Sequence, residues 1–512
     1  MNSVAKGAVW ELRWALMGLN RMLTNGPTEG PIKRYFISPM IDLFLDGVRP
    51  RQRSAELFDQ LRSAILTGRL AAGDRLPTSR ALAIELGIAR STVATVYARL
   101  VGEGYAEGRI GDGTFVADYY VRAGRLATAA MSRHAVRIAR PALRGEQSLV
   151  PPPGGWRADL RTGRPDPALF PTTEWRRCVT PLLGRPPPGY GDYAGLPELR
   201  HAIATWIARS RGVQAVADNV LITAGAQGAF DLCARTLLGQ GSVVAVEDPG
   251  YEPARRAFAH HGAKLAAVPV DHSGVQVDHI PRNARVIVVT PSHQSPSGAV
   301  LSAPRRRQLL DFAEVNDAVV IEDDYDTEYR YVDRPLQPLH LLDDRGRVVY
   351  VGSFSKTLTP SLRLGFLVAP SAIIDELTRA RHVVDTQPPH ITQAALAAFI
   401  GTGAYERHLR RCHRVYRTRR EHVIALLDLL VDDRIITGFD RINAGLHTTV
   451  RLPPDTDTEG VAEQLRASGI AVATTAASQL SAGPIDLVVG FGLADEYQLT
   501  VAVDALRTAV GE

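Results

Sequence analysis

The stretch Val351–Gly365, VGSFSKTLTPSLRLG, contains the residue best suited to covalent chemistry, Lys356. This lysine follows the β-branched run RVVYVG and stands between hydroxyl residues. A lysine at the end of a buried strand can lose enough hydration to act as a neutral amine, which is what imine formation with an aldehyde requires. Taken alone, the stretch also fits an ordinary solvated loop lysine.

Other polar residues follow apolar runs in the same half of the chain. Short runs rich in Val and Ile alternate with helical segments, which indicates a parallel sheet covered on both faces. Ligands bind at the carboxyl ends of the strands in such sheets. Four successive strands deliver polar residues to that edge, namely Asp248 and Tyr251, His293 and Gln294, Asp323 and Tyr325, and Ser353 and Lys356.

These residue types suit pyridoxal phosphate. That cofactor needs an amine for its aldehyde, a carboxylate for its ring nitrogen, a phenol or amide near its ring oxygen and an anion site for its phosphate. Lys356, Asp323 and Tyr325 could supply the first three.

The phosphate site is predicted in VLITAGAQGAFDLCARTLL. A strand ends there at Gly225, and a helix begins whose amides at Ala226 and Gln227 could bind an anion. Ser353 and Arg363 flank the lysine and would complete the cradle.

Two other chemistries compete for the same residues. Ser353 and Lys356 form an SxxK pair of the kind that β-lactamases use, but no SDN or KTG triplet follows. The carboxylates of IEDDYD could instead hold a metal. The cofactor residues that follow successive strands explain the Ser353–Lys356 pair better than a hydrolase does. Together with the lysine motif, they also favour the ring-nitrogen role for Asp323 over a metal-ligand role, so no metal is predicted.

A smaller folded unit precedes the sheet. A first helix ends at Gly68, and its predicted inner residues are Leu57, Leu61, Ile65 and Leu66. Thr78 or Ser79 caps a second helix, whose inner residues are Leu82 and Leu86. A third helix begins near Arg90 and buries Val93, Val96, Tyr97 and Leu100.

The tight turn LGIAR between the last two helices indicates a helix-turn-helix, and GYAEGRIGDGTFVAD predicts a β-hairpin wing. With RLPTSRALA and RSTV, this unit resembles the winged helix-turn-helix of the GntR family of bacterial regulators over nearly all of residues 54–118. A protein-interaction module is the alternative. The resemblance implies operator DNA as a partner, with Arg80 on phosphate, Arg90, Ser91, Thr92 and Thr95 in the major groove, and Arg109, Gly111 and Gly113 shaping the wing.

Residues 157–512 resemble the fold type I aminotransferases, through YGDYAGLPELR, EDPGY, TPSHQSPSG, IEDDYD and SFSKTL. With the winged helix in front, the chain resembles MocR-type regulators of the GntR family. The resemblance implies that Lys356 forms an aldimine with pyridoxal phosphate, that Asp323 pairs with its ring nitrogen, that Tyr325 bonds its ring oxygen and that Tyr251 stacks on its ring. It also implies a homodimer.

The fold class expected from this resemblance is an α/β domain preceded by an α+β winged helix. The α/β domain has a mostly parallel sheet with flanking helices, and a small α+β subdomain follows from about residue 396. Two departures concern activity. Ser295 stands where aminotransferases carry Asn, so that the ring-oxygen contact is either weaker or passes to Gln294. Val488 stands where they carry the arginine that binds a substrate carboxylate.

The 512 residues, 45% of them hydrophobic, predict a globular protein of about three domains. We expect an extension over 1–42, a winged helix over 43–118, a basic flexible linker over 119–156 and an aminotransferase-like domain over 157–512. The linker's six arginines could touch DNA or solvent. The extension could be mobile or form a short partner-binding helix.

Three scattered cysteines fit a reducing cytoplasm, and no membrane span or secretory signal is predicted.

The sequence is compatible with two functions. The first is a regulator that senses pyridoxal phosphate, or an amine or amino acid condensed with it, at Lys356. The second is an active aminotransferase that carries a DNA-binding module. The missing arginine at Val488 favours the regulator.

Overall fold

A computed structural model describes residues 35–37, 41–43, 45, 49, 52–117, 155–184, 186, 188–331 and 337–511. The chain divides into two compact units, residues 1–146 and 147–512. The predicted extension and basic linker lie almost wholly outside the described residues. Two short strands, β1 (Tyr35–Ile37) and β2 (Ile41–Leu43), pair antiparallel near the end of that extension.

Residues 52–117 form the predicted winged helix-turn-helix. Its elements are α1 (Arg53–Leu66), α2 (Ser79–Leu86), α3 (Arg90–Gly102), β3 (Ala106–Arg109) and β4 (Gly113–Val116). Thr78 caps α2, because its side-chain oxygen accepts a hydrogen bond from Ala81 N at 3.2 Å. Gly87 ends α2 with φ of +62°, which turns the chain directly into α3. β3 and β4 pair antiparallel as the wing.

The core of this unit contains the apolar residues predicted for it, with one exception. Leu57, Leu61 and Ile65 of α1 are buried, as are the predicted inner residues of α2 and α3. Leu66 was expected inside as well, but it is 38% exposed. It comes nine residues after Leu57, which places it on the opposite side of a helix with 3.6 residues per turn.

The second unit contains two sheets and a short separate strand pair. Its strands are β5 (Ala158–Asp159), β6 (Val220–Thr223), β7 (Val243–Asp248), β8 (Lys264–Asp271), β9 (Gly274–Val275), β10 (Ala284–Val289), β11 (Val319–Asp324), β12 (Val348–Ser353), β13 (Gly365–Val368), β14 (Gly438–Phe439), β15 (His447–Arg451), β16 (Ile470–Ala471), β17 (Ala473–Thr474) and β18 (Leu487–Gly490). The large sheet has the order β6-β13-β12-β11-β10-β7-β8-β9. Strands β12, β11, β10, β7 and β8 are parallel, whereas β13 and β9 are antiparallel to their neighbours.

Helices cover both faces of the large sheet. The helices of this unit are α4 (Thr172–Leu183), α5 (Pro197–Arg211), α6 (Gly225–Leu237), α7 (Glu252–His260), α8 (Ala303–Val315), α9 (Leu339–Leu342), α10 (Ser371–Val384), α11 (His390–Gly401), α12 (Ala404–Asp432), α13 (Thr458–Ala467) and α14 (Glu496–Gly511). Leu221 of β6 packs with α6, α7 and α10, while its neighbours Val220 and Ile222 pack with α5 and α11. Because side chains on both faces of the strand are buried under helices, the strands are continuous apolar runs in the sequence.

A smaller α+β subdomain follows, built from α12, α13, α14 and the sheet β14-β15-β18-β17. Its beginning differs from the predicted residue 396. Leu396 and Phe399 of α11 are buried against the large sheet's cluster, and Phe399 meets Trp175 with ring centroids 5.9 Å apart. The side chains of α12 therefore pass from the core of the large sheet to the core of the smaller subdomain within that helix.

The arginine-rich helix α12 makes several contacts inside the unit. Arg419 donates to Asp166 Oδ2 at 2.6 Å and to Gly492 O at 2.7 Å, and Arg420 donates to Ile442 O at 2.5 Å. These contacts give both side chains a structural role. None of the helices within the described ranges is both long and apolar enough to span a bilayer.

Candidate functional site

The predicted polar residues meet where four neighbouring strands end. β12, β11, β10 and β7 lie side by side and run in the same direction. Asp323 lies at the carboxyl end of β11, and Lys356 lies three residues after β12. Because the strands are parallel, side chains that are far apart in sequence reach one edge of the sheet.

A cavity of about 790 Å³ lies at this edge, large enough for a cofactor with a bound amine. Its wall includes all but one of the residues predicted to hold pyridoxal phosphate: Lys356, Asp323, Tyr325, Tyr251, Ala226, Gln227, Ser353 and Arg363. The sheet topology therefore brings the amine, the carboxylate, the phenols and the helix terminus to one space.

The Lys356 side chain lines this cavity, and its surroundings make the amine less basic than an exposed lysine. Its Nζ donates a hydrogen bond to Gly163 O at 2.8 Å. Burial lowers the pKa of Lys356, although the charges of Asp326 and Asp323 oppose that shift. A lowered pKa leaves more of the amine neutral and nucleophilic, as attack on an aldehyde requires.

Asp323 is a buried carboxylate that lacks a complete set of partners. The residue is 3% exposed, and within the described chain its Oδ1 has no hydrogen-bond partner. Burial and the neighbouring charge of Asp324 raise the pKa of Asp323 to about 8, although Lys356 opposes that shift. A protonated pyridine nitrogen would supply both the missing donor and a positive charge. The residues present therefore fit pyridoxal phosphate.

Two tyrosines border the same cavity. The Tyr325 hydroxyl lies 3.2 Å from His293 Nδ1. Burial, with the charges of Asp326 and Asp323, raises the pKa of Tyr325 well above its usual value, so the phenol keeps its proton. Tyr251 immediately precedes α7, lines the cavity and remains 37% exposed.

A group of hydrogen-bond donors that could bind an anion also lines the cavity. Ala226 and Gln227 belong to the first turn of α6, whose N-terminus has no side-chain cap. Their amides therefore have no partner within the helix. Arg363 donates from Nη2 to Ala224 O at 2.8 Å and lines the cavity with Ser353. This set of donors suits a phosphate dianion.

Gln294 does not line the cavity, in contrast to the prediction. Its amide donates to Pro249 O and Ser295 O, each at 2.8 Å, and to Glu247 Oε2 at 3.2 Å. These bonds hold the side chain inside the turn after β10. Ser295 is the residue of this turn that reaches the cavity wall.

Other residues of the wall were not foreseen from the sequence. Gly163 has φ of +71°, and a Cβ atom there would collide with Lys356 Nζ. Arg164, Asp326 and His447 also line the cavity. Asp326 belongs to the IEDDYD motif that identified Asp323, but Gly163 and His447 lie in stretches without a recognised motif. Val488, which occupies the position where aminotransferases carry an arginine, does line this cavity.

The winged helix carries a second candidate site. Arg80, Arg90, Ser91 and Thr95 are exposed, and Thr92 is half-buried. Arg90 Nε lies 3.4 Å from Ser79 Oγ, which places the start of α3 beside the start of α2. On the wing, Arg109 donates to Glu107 Oε1 at 2.6 Å and lies 4.3 Å from the Phe115 ring centroid. Gly111 and Gly113 have φ of +79° and +118°, which their turn requires.

Comparisons with sequence families match the two regions of the chain that contain these candidate sites. Residues 53–116 match the family of bacterial regulatory proteins named gntR, and residues 171–505 match aminotransferase class I and II. Among solved structures, the chain is similar to an archaeal alanine:glyoxylate aminotransferase, with a TM-score of 0.65, 26% identity and coverage of 75% of this chain and 96% of that one. It is equally similar to α-aminoadipate aminotransferase LysN from Thermus thermophilus, solved with N-(5'-phosphopyridoxyl)-L-leucine, with a TM-score of 0.65, 27% identity and coverage of 75% and 98%.

Two relatives resemble the chain over nearly its whole length. The probable rhizopine catabolism regulatory protein MocR of Rhizobium meliloti is 34% identical over 92% of this chain and 96% of its own. The pyridoxine biosynthesis transcriptional regulator PdxR of Corynebacterium glutamicum is 33% identical over 92% and 98%. The chain therefore belongs to the MocR-type transcriptional regulators of the GntR family, in which a winged helix-turn-helix precedes an aminotransferase-like domain.

Proposed function

We propose that this protein is a transcriptional regulator whose DNA binding responds to pyridoxal phosphate, or to an amine or amino acid condensed with it, at Lys356. One observation carries the proposal: the Lys356 amine and the incompletely partnered Asp323 carboxylate border a single cavity. The phosphopyridoxyl compound bound in LysN and the role named for PdxR support the same cofactor.

Each residue of the cavity has a distinct task in this proposal. Bound pyridoxal phosphate would supply an aldehyde that condenses with primary amines and a ring that withdraws electrons. Lys356 presents its amine, and Asp323 holds a proton at the ring nitrogen. The amides of Ala226 and Gln227, with Arg363, bind the phosphate.

Val488 favours a sensor over an aminotransferase. Its apolar side chain stands in the cavity wall, where an arginine would bind a substrate carboxylate with two hydrogen bonds. Without that anchor, an amino acid loses much of its orientation for proton transfer.

The alternative function, an active aminotransferase, can be tested on the same sample. The cofactor-loaded protein is incubated with candidate amines and amino acids, and both keto-acid release and operator affinity are measured. A sensor changes its operator affinity without sustained keto-acid release. Many turnovers with unchanged operator affinity would favour the enzyme.

We propose a homodimer formed through the aminotransferase-like domain. Tyr190 is 88% exposed, Leu183 67% and Val383 84%. Tyr193 stacks on His382 with ring centroids 4.3 Å apart, which joins the tyrosine-bearing loop to α10. A second copy of the chain would cover these apolar side chains. Binding to operator DNA would place this dimer at the nucleoid of a bacterial cytoplasm.

Arg90→Ala is expected to weaken operator binding by roughly 10- to 100-fold without changing cofactor absorbance, because one contact to a base or phosphate is lost. Fluorescence anisotropy with a labelled operator measures the change. Arg69→Ala serves as the control, since Arg69 is exposed at the end of α1, outside the predicted reading helix. If Arg90→Ala and Arg69→Ala bound equally well, α3 would not be the reading helix.

A further inference from the structure

Two imidazoles and a carboxylate are buried together beside the cavity. His293 follows β10, Asp326 follows β11, and His447 begins β15. The three are at most 5% exposed, and one ligand-type atom of each lies within 4.8 Å of the other two. Asp326 and His447 line the cavity wall, while His293 contacts Tyr325. The proposed function assigns no role to this cluster.

The hydrogen bonds fix the proton on one nitrogen of His293. Its Nδ1 lies 2.9 Å from Asp326 Oδ1 and 3.1 Å from Oδ2. An ionised carboxylate only accepts hydrogen bonds, so Nδ1 must carry a proton in both the neutral and the cationic imidazole. The same nitrogen lies 3.2 Å from the Tyr325 hydroxyl. A protonated nitrogen cannot accept, so the phenol oxygen accepts there and must donate elsewhere.

The open direction for that donation is the cavity, which Tyr325 lines together with Ser295, whose hydroxyl hydrogen-bonds the phenol. Glu247 already accepts from Thr290 Oγ1 at 2.5 Å and from Gln294 at 3.2 Å. His447 lies near Pro296 O, with Nε2 at 3.1 Å, and a carbonyl partner requires that this nitrogen be the donor. Burial lowers the pKa of His447 to about 4, so this imidazole is neutral. Tyr325 itself lines the cavity.

We propose that His293, held by Asp326, is a positioning residue that fixes the Tyr325 hydroxyl as a hydrogen-bond donor toward the cavity, and hence toward the ring oxygen of bound pyridoxal phosphate. This inference rests on the proposed function. Without the imidazole N–H, the Asp326 carboxylate, whose charge acts on the phenol, would compete for the phenol proton as an acceptor. The phenol proton would then turn toward Asp326 and away from the cofactor.

The test uses full-length protein and measures the dissociation constant and absorbance spectrum of bound pyridoxal phosphate. His293→Leu fills the space without a donor, whereas His293→Asn keeps an N–H near the position of Nδ1. We expect His293→Leu and Tyr325→Phe each to weaken binding on the order of tenfold and to change the spectrum alike, since each loses one hydrogen bond to a charged group. His293→Asn should bind nearly as wild type does.

A double-mutant cycle separates positioning from a general effect on folding. In the Tyr325→Phe background, His293→Leu should produce no further change in affinity or spectrum. Asp326→Asn is the second variant if His293→Leu does not fold. It removes the carboxylate that holds the proton on Nδ1, so it should weaken binding only when Tyr325 is present.

Three results would overturn the inference in distinguishable ways. If wild-type protein bound no pyridoxal phosphate, the proposed function and this inference would both fall. If wild type bound it and the His293 and Asp326 variants matched wild type, or added fully to Tyr325→Phe, only the inference would fall. One equivalent of zinc on wild type but not on His293→Leu would also overturn it, because a metal on Nδ1 excludes the proton.

Discussion

Lys356→Ala is expected to abolish covalent attachment of pyridoxal phosphate. In wild type, borohydride reduction should fix one cofactor per chain to the peptide that contains Lys356, because this amine lines the cavity and burial lowers its pKa. The variant has no amine at that place, so the reduced protein should carry no stoichiometric label. Peptide mass spectrometry after reduction gives the result directly.

The lysine content of the chain makes this experiment unusually clean. The sequence has only four lysines, at positions 6, 33, 264 and 356. Lys264 begins β8 and is exposed, so Lys264→Ala is the matched control and should keep the full label. Equal labelling of Lys356→Ala and wild type would remove Lys356 from the proposed sensing mechanism.

Asp323→Ala is expected to weaken pyridoxal phosphate binding by on the order of a hundred- to a thousandfold, because a protonated ring nitrogen would lose its buried counter-charge. Absorbance titration of purified protein measures the dissociation constant. Asp344→Ala removes an exposed carboxylate of the same unit and should bind as wild type does. A dissociation constant for Asp323→Ala within twofold of wild type would contradict the assigned role.

The same carboxylate makes the stability of cofactor-free protein depend on pH. The folded-state pKa of Asp323 is about 8, against an ordinary value of 3.8. Its contribution to stability is therefore fully present below pH 3.8 and is lost as the pH rises to about 8. Asp323→Asn lacks this dependence, so urea denaturation should show its stability improving relative to wild type across that range. A constant difference would contradict the raised pKa.

The sequence predicted the cavity residues that depend on strand order alone. Asp323, Tyr325, Ser353 and Lys356 lie at or just after the ends of neighbouring parallel strands, and this placement follows from apolar runs and from the rule for such sheets. The winged helix could also be predicted, because its helix caps and the spacing of its apolar residues depend on residues that are close together in the sequence.

Residues whose positions depend on tertiary contacts were missed or misplaced. Gln294 turns inward because Glu247, on a neighbouring strand, accepts from its amide. Gly163 meets Lys356 only after the chain has folded back on itself, and His447 comes from the smaller subdomain. The boundary near residue 396 was displaced because Phe399 packs on the large sheet's cluster rather than beyond it. No local pattern encodes these contacts.

Operator affinity measured with and without pyridoxal phosphate tests the central claim most directly. Wild type and Lys356→Ala are titrated onto the intergenic DNA upstream of the gene, at fixed salt, with increasing cofactor. We predict that pyridoxal phosphate, alone or with a primary amine, shifts the affinity of wild type and leaves that of Lys356→Ala unchanged. An identical response in both proteins, or no response in wild type to the cofactor with any amine tested, would contradict sensing at Lys356.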